Sequence, residues 1–298
     1  RRPCRHTARR QTHLEQIGPG FWTVRAPFHV YGVNLCTHMA IAELSDGNFV
    51  VIDTASLAAL EGLKEEIDAL TANGTRISAV LGTHPYHTLY FAEFHDAYPA
   101  TAERQYFGTP RHLRQHPGIE WASPIMCVFD RWPELEMMIP EGGEFDNPLP
   151  EGSNHLINVI VLHKPSKTVF NDDCLLYVDR GNMQPVLRMV SRVASLFSRL
   201  LQPGIRFHPS LMGPGLYHTG EAPLQFQRSM ERLLEWDFEN LCTAHNGNCI
   251  GTAKEEFRRL LASSAEMFAK MSRDYAAGRA PELPPDTEWS DTKCGDCG

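Results

Sequence analysis

Leu81-Gly82-Thr83-His84-Pro85-Tyr86-His87-Thr88-Leu89 follows directly on the apolar run Ile77-Ser78-Ala79-Val80. The run is too short for a helix and is ended by glycine and proline, so it reads as a buried strand that delivers histidines into a loop at its C-terminal end. Loops at strand ends are where chemistry is often carried. On the N-terminal side, 49–53 and 39–44 are short and rich in β-branched or aromatic residues, and Ser45-Asp46-Gly47-Asn48 joins them as a turn. With 21–26 they predict an antiparallel meander. Between this meander and the histidine loop, Leu57, Leu60, Leu63, Ile67 and Leu70 recur at helical spacing, with Ser56 as N-cap and Asn73-Gly74 as the stop.

On the C-terminal side, 91–98 predicts a short helix stopped by Pro99, and prolines and glycines break any period through 104–150, which predicts long loops. Strands at 156–162 and 168–170 flank the turn His163-Lys164-Pro165-Ser166-Lys167 and lead to Asn171-Asp172-Asp173. Helices at 186–201 and 224–236, a strand at 240–244 and a long helix at about 253–276 complete the order. Strands in two groups with interleaved helices predict an α+β fold, two sheets face to face with helices outside.

The 298 residues suit one elaborated domain, read as 18–277 between a basic tail, 1–17, and a C-terminal tail, 278–298, rich in Pro, Gly, Asp and Glu. With 42% hydrophobic and 21% charged residues the chain has the balance of a globular protein. A net charge of -8 argues against nucleic acid as a partner, and no run approaches the roughly 20 apolar residues of a spanning helix. The expectation is a soluble protein, cytoplasmic or in an organellar lumen. Arg1, Arg2, Arg5, Arg9 and Arg10 precede any acidic residue and fit either a processed targeting segment or a truncated start. The eight cysteines are not needed as staples in a chain of this size and are expected to be mostly reduced and buried. Cys294 and Cys297 have the spacing of a redox pair or half a metal site, or are two thiols on a tail.

Val50-Val51-Ile52-Asp53-Thr54 resembles the first motif of the metallo-β-lactamase superfamily, in which a strand ends on an aspartate that orders the metal-binding loop. The likeness recurs in order. Thr83-His84 falls where that family places His-x-His-x-Asp-His, Phe170-Asn171-Asp172-Asp173 resembles the strand that ends on a bridging aspartate, and Ala244-His245-Asn246-Gly247 resembles the final histidine motif. His155, 18 residues before Asp173, has the spacing of the third-motif histidine without its surrounding sequence. Thr83 to His87, Ala97-Tyr98-Pro99, the 163–167 turn and Glu235-Trp236-Asp237-Phe238 together resemble a divergent branch of that superfamily. The resemblance implies a four-layer αββα sandwich.

What it implies for chemistry is a reduced site. The family's second histidine falls on Tyr86, its aspartate on Thr88 and its last histidine on Leu89. The lost aspartate would be a ligand of a second metal and a proton acceptor, so a dinuclear hydrolase is not expected. His84, His87, Asp173 and His245 remain as ligands for at most one divalent ion, zinc or iron, with Asp53, Asp172 and His155 supporting them. Asp172 competes with Asp173 for the motif position, and each carboxylate could instead hold a turn. Two readings stay open: a mononuclear hydrolase of an ester or thioester, its partner a small acyl substrate, or a non-catalytic module that binds a protein or supports an assembly. Arg188, Arg192 and Arg199 share one face of the 186–201 helix, as a solvated face or as a protein-docking surface. Oligomeric state is not legible.

Overall fold

The computed structural model describes residues 13–30, 33–34, 36–178, 203–245 and 247–283. The arginines of the N-terminal tail, the helix expected to carry Arg188, Arg192 and Arg199, and Cys294 and Cys297 lie outside the described residues.

The first sheet begins with β1 (Glu15–Gly18) and β2 (Phe21–Ala26). A separate small ladder of β3 (His29–Val30) and β4 (Val33–Asn34) follows before the chain returns to the sheet. Then come β5 (Thr37–Glu43), β6 (Phe49–Ile52), β7 (Ile77–Leu81), β8 (Gln105–Gly108) and β9 (Trp121–Pro124), giving seven strands in the order β1-β2-β5-β6-β7-β8-β9. Pairing is antiparallel up to β6 and parallel beyond it. Parallel neighbours need a crossover; α1 (Leu63–Thr71) supplies it from β6 to β7 and α2 (Phe91–Ala97) from β7 to β8.

Next, α3 (Pro110–Gln115) precedes β9. The second sheet holds β10 (Leu135–Met138), β11 (Ile160–His163) and β12 (Thr168–Asn171); after a two-stranded ladder of β13 (Leu175–Val178) with β14 (Gly204–Phe207), it takes up β15 (Asn240–Thr243) and β16 (Asn248–Cys249). β12 and β15 run parallel, so their C-terminal ends lie side by side. Before β15 comes α4 (Ala222–Glu235), and α5 (Ala253–Ala276) follows β16.

Period-two alternation explains the layering. Ala40, Ala42, Val50, Ile52, Ala79 and Leu81 join a core with Val161, Leu162, Val169 and Phe170 of the second sheet. The alternate residues Met39, Ile41, Phe49, Val51 and Val80 pack with Leu63, Ile67, Phe91 and Phe94 of the helices. A sheet buried on both faces reads as continuous apolar runs, as β5 to β7 do. The two sheets meet directly where the His38 ring stacks on Phe170 at 4.0 Å and Val159 N–H donates to Thr83 O at 2.8 Å. The α+β organisation thus stands.

Two local expectations are corrected. The first helix starts at Leu63, after Gly62 at φ 92°, and not at Ser56. Ser56 Oγ instead accepts from Ala59 N–H, and Leu57 and Leu60 reach the same apolar cluster from a turn, which satisfies helical spacing without a helix. Within 104–150, expected to be irregular, stand β8, α3, β9, a 3-10 turn at Ile125–Val128 and β10. Each is short enough to fit between the breakers. Cys174, Cys242 and Cys249 are free thiols, while Cys127 is disulfide-bonded.

Candidate metal centre

Four strand ends build the site. β6 stops at Ile52, and Asp53 turns away at φ 56°, a left-handed conformation that short polar residues tolerate. Its N–H still donates to Leu81 O at 2.8 Å, tying it to β7, and its Oδ1 accepts from Thr54 N–H at 2.8 Å. β7 then passes through Gly82, where a Cβ would lie 2.7 Å from the His112 ring, so only glycine fits. The loop that follows folds back through His87 N–H donating to His84 O at 3.1 Å. After β12, the Asn171 side chain closes a turn by donating to Leu175 O and accepting from Leu175 N–H, which fixes Asp172 and Asp173. After β15, the single Thr243 O–H is shared between the carbonyls of His245 and Gly247, each 2.9 Å from Oγ1.

Asp173 is the centre. Around its buried carboxylate stand His155 Nδ1 at 3.2 Å, His87 Nε2 at 3.4 Å and His84 Nε2 at 3.7 Å, all measured to Oδ2, with His245 Nε2 3.2 Å from Oδ1. His84, His87 and Asp173 bring ligand atoms within 4.8 Å of one another. Burial would raise the Asp173 carboxyl, but His245, His155 and His87 hold it well below the usual carboxylate range. His84 is pushed well below the ordinary imidazole value by burial and by neighbouring His87. For His245, burial lowers the pKa and Asp173 more than reverses it.

A second layer grips His87 from behind. Its Nδ1 lies 2.9 Å from Asp53 Oδ2 and 3.2 Å from Asp172 Oδ1. Asp172 also receives Thr83 Oγ1–H at 2.7 Å and faces His38 Nε2 at 3.0 Å. Burial opposes charge on His87, yet the Asp172 carboxylate raises it well above the usual value. Asp53 is pushed up to about 7 by burial and by Asp172, whereas Asp172, despite burial, is held far below its usual value by His87 and His38.

The hydrogen bonds decide which nitrogens have a lone pair to offer. Neutral imidazole has one N–H and one lone pair. His87 donates from Nδ1 to carboxylate, His245 from Nδ1 to Cys36 O at 2.8 Å, and His155 from Nε2 to Glu151 O at 2.9 Å. Each therefore faces Asp173 with its other nitrogen, which can serve as a ligand when it carries no proton, the arrangement by which a carboxylate or carbonyl orients a metal-binding imidazole. His84 differs, because its Nδ1 accepts Tyr86 N–H at 3.0 Å and neutral His84 then carries its proton on Nε2. Asp173 Oδ1 is buried, and among the described residues His245 Nε2, 3.2 Å away, is its ionic partner. Three oriented imidazole nitrogens and a buried carboxylate fit one divalent cation, which would displace the protons that His87 and His245 hold.

Asp53, His87 and Asp172 form a second group of potential ligands, but it draws on the same imidazole. One lone pair serves one ion.

The structure gathers all seven residues singled out around Asp53 and Asp173 into one cluster, with His155 facing Asp173 directly. His38, Thr83, His112, His208 and the Cys36 carbonyl also build the site and were not legible. His112 donates from Nε2 to His87 O at 3.3 Å and accepts from Thr109 at Nδ1, and its pKa is pushed down to about 3 by burial. The His208 ring lies tilted beside His155, with centroids 6.0 Å apart. Apart from Thr83, which adjoins His84, they lie outside the motifs in sequence and carry no spacing of their own. Thr88, at the position of the family's aspartate, is buried against the Gln115 amide at 2.9 Å.

No protein-family model and no curated protein matches the chain. Among solved structures it is similar to a metallo-β-lactamase from Erythrobacter litoralis, with 15% identity over 84% of this chain and 96% of that one and a TM-score of 0.51. It is also similar to a metallo-β-lactamase from Pseudomonas aeruginosa solved in a mono-zinc form, at 12% identity, 84% and 95% coverage and a TM-score of 0.50. A protein from Nostoc described as a diflavin flavoprotein matches at 10% identity, 89% and 97% coverage and a TM-score of 0.54. At such identities the likeness is one of fold.

Proposed function

With the metallo-β-lactamase fold as premise, we propose that this chain is a mononuclear metal-dependent hydrolase of an ester or thioester. The observation that carries the reading is the buried Asp173 carboxylate with four imidazole nitrogens 3.2 to 3.7 Å away. Asp173, His87 and His245 would hold the ion, with His84 joining them on giving up its bond to Tyr86 N–H. The mixed imidazole and carboxylate set suits zinc or iron. When bound, such an ion supplies Lewis acidity and a water of lowered pKa.

The chain's own residues do the rest. Asp53 and Asp172 fix His87 by its Nδ1–H, so that ring offers only Nε2. With Thr88 in place of an acid, His155 is the group placed to take a proton, since its Nε2–H is spent on Glu151 O and its Nδ1 faces the centre at the rim. His208 lies tilted beside that ring, with centroids 6.0 Å apart.

A second reading, a non-catalytic binding or assembly module, is favoured by one observation. Thr88 and Leu89 stand where the family has an acid and a ligand, and Thr88 is turned away onto Gln115. Metal analysis of protein purified without an affinity tag separates the two: about one ion per chain is expected, together with ester or thioester hydrolysis lost in His155→Ala. A chain that stays metal-free when zinc, iron and manganese are offered at neutral pH leaves only the non-catalytic module. Two tightly held ions would contradict the single lone pair of His87.

A further inference from the structure

Arg25 of β2 stands opposite His38 of β5, so the two side chains share one face of the first sheet. It is the face that Phe21, Ala40 and Ala42 turn toward the second sheet. Both side chains reach across. His38 meets Asp172 in the turn after β12, and the part-buried Arg25 guanidinium meets the loop after β15. Its Nη2 donates to Thr243 O and to Asn248 Oδ1, each at 2.6 Å, and its Nη1 donates to Ala244 O at 3.1 Å. All three acceptors flank His245 in the chain, and none is a carboxylate.

We infer that Arg25 is a positioning residue, which orders the loop carrying His245 and so pre-sets that imidazole for the ion. For the ion this rests on the reading of the cluster as a mononuclear centre; the ordering of the loop stands on three observations.

The first is which peptide is held. Ala244 O belongs to the planar unit that leads into His245, so the bond from Nη1 fixes the plane from which His245 departs. The N–H of Ala244 donates to Asp172 O at 3.2 Å. Ala244 is thereby pinned from both sides, by Arg25 of the first sheet and by the turn that carries Asp172 and Asp173.

The second is that one guanidinium clasps both ends of the loop. Thr243 closes β15 and Asn248 opens β16, and the planar fork presents its donors to both in fixed directions. The His245 ring itself is held by Cys36 O at 2.8 Å, at the residue that leads into β5. Neighbouring strands of the first sheet thus hold the peptide before His245 and its ring.

The third is the sign of the charge. His38 is pushed down to about 4 chiefly by burial, and the Arg25 charge adds to this, so that charge is felt at the cluster. A fixed cation repels an incoming metal ion. Ordering a ligand in advance acts the other way, because the ion then meets less of the ordering cost. Removal of Arg25 therefore strengthens metal binding if charge is its main effect and weakens it if positioning is.

Chelator competition on the wild type, Arg25→Met and Asn248→Ala, the last leaving the charge in place, tests the positioning role. Arg25→Met should lower metal affinity about tenfold or more and Asn248→Ala about threefold, as loss of a group behind a ligand does. In a His245→Ala background Arg25→Met should cost less than about twofold, because residues that act through one another are not additive. Amide exchange by NMR on the metal-free chains adds a readout that needs no ion. Ala244 and Gly247 should exchange about tenfold faster in Arg25→Met, and faster in Asn248→Ala by a smaller factor, while Leu241 and Cys242 of β15 keep their rates. Unchanged or tighter metal binding in Arg25→Met, an equal loss with and without His245, or equal acceleration at all four amides would each overturn the proposal. A wild-type chain that takes no ion refutes the hydrolase, and the exchange comparison then decides by itself whether Arg25 orders the loop.

Discussion

At the scale of single residues, the site is governed by where protons sit. His87 and His84 are three positions apart on one loop and both face Asp173, yet their far nitrogens meet opposite partners, carboxylates for His87 and a backbone N–H for His84. His87 is thereby pre-set to ligate, and His84 must first break a hydrogen bond. His87→Ala should therefore lower metal affinity by about a hundredfold or more, whereas His84→Gln, which keeps an N–H near the same place, should lower it by about tenfold or less. Competition titration with a chelator reads both. Equal losses would mean that His84 gives up the Tyr86 bond freely and that the tautomer does not matter. The sequence named His84, His87, Asp173 and His245 because each follows a strand end. It could not rank them, since the rank depends on backbone groups such as Cys36 O and Tyr86 N–H that have no signature in side-chain pattern.

Among the elements, the longest amphipathic pattern was the best read. The helix expected at 253–276 is α5, because seven turns of apolar positions leave little ambiguity of period. It is anchored by Phe268, fully buried, with ring centroids 5.6 Å from Phe207 of β14 and 6.0 Å from Phe226 of α4. Phe268→Ala should cost about 3 to 5 kcal/mol in a urea unfolding experiment, through lost burial and a residual cavity, while the folded fraction keeps its metal content. A loss under 1 kcal/mol on the same scale would mean that α5 does not share the core. Short elements were read less well. α3 has six residues and β9 four, too few for a period, and they are held by partners distant in sequence: β9 by its ladder with β8, and His112 of α3 by its bond to His87 O.

For the whole molecule, the joint between the sheets can be tested through His163. It lies at the end of β11, stacks on Phe21 of β2 at 5.6 Å, and bonds Ser166 Oγ at 2.8 Å and Glu43 O at 3.0 Å. Burial pushes its pKa below the ordinary imidazole value. The unfolded chain, titrating near about 6.5, then binds more protons than the folded one between the two values, so stability is whole above about pH 6.5 and falls as the pH drops through that window. The slope is at most about 1.4 kcal/mol per pH unit for this one group. It is read as the difference between wild-type and His163→Gln chains, both metal-free, in denaturant titrations from about pH 5 to 7; parallel pH profiles would refute the assignment. Among the described residues no helix is long and apolar enough to cross a membrane. By itself the sequence determined the α+β class, the order of the long elements and the strand ends that carry histidine and aspartate, because periodicity and strand-ending turns are local properties of the chain. Only the tertiary structure decided that Asp173 collects four imidazoles and that Asp53 and Asp172 share one nitrogen of His87. Those facts depend on the parallel pairing of β12 with β15 and on one sheet packing against the other, through contacts as distant in sequence as the 209 positions between His245 and Cys36, for which no local pattern exists.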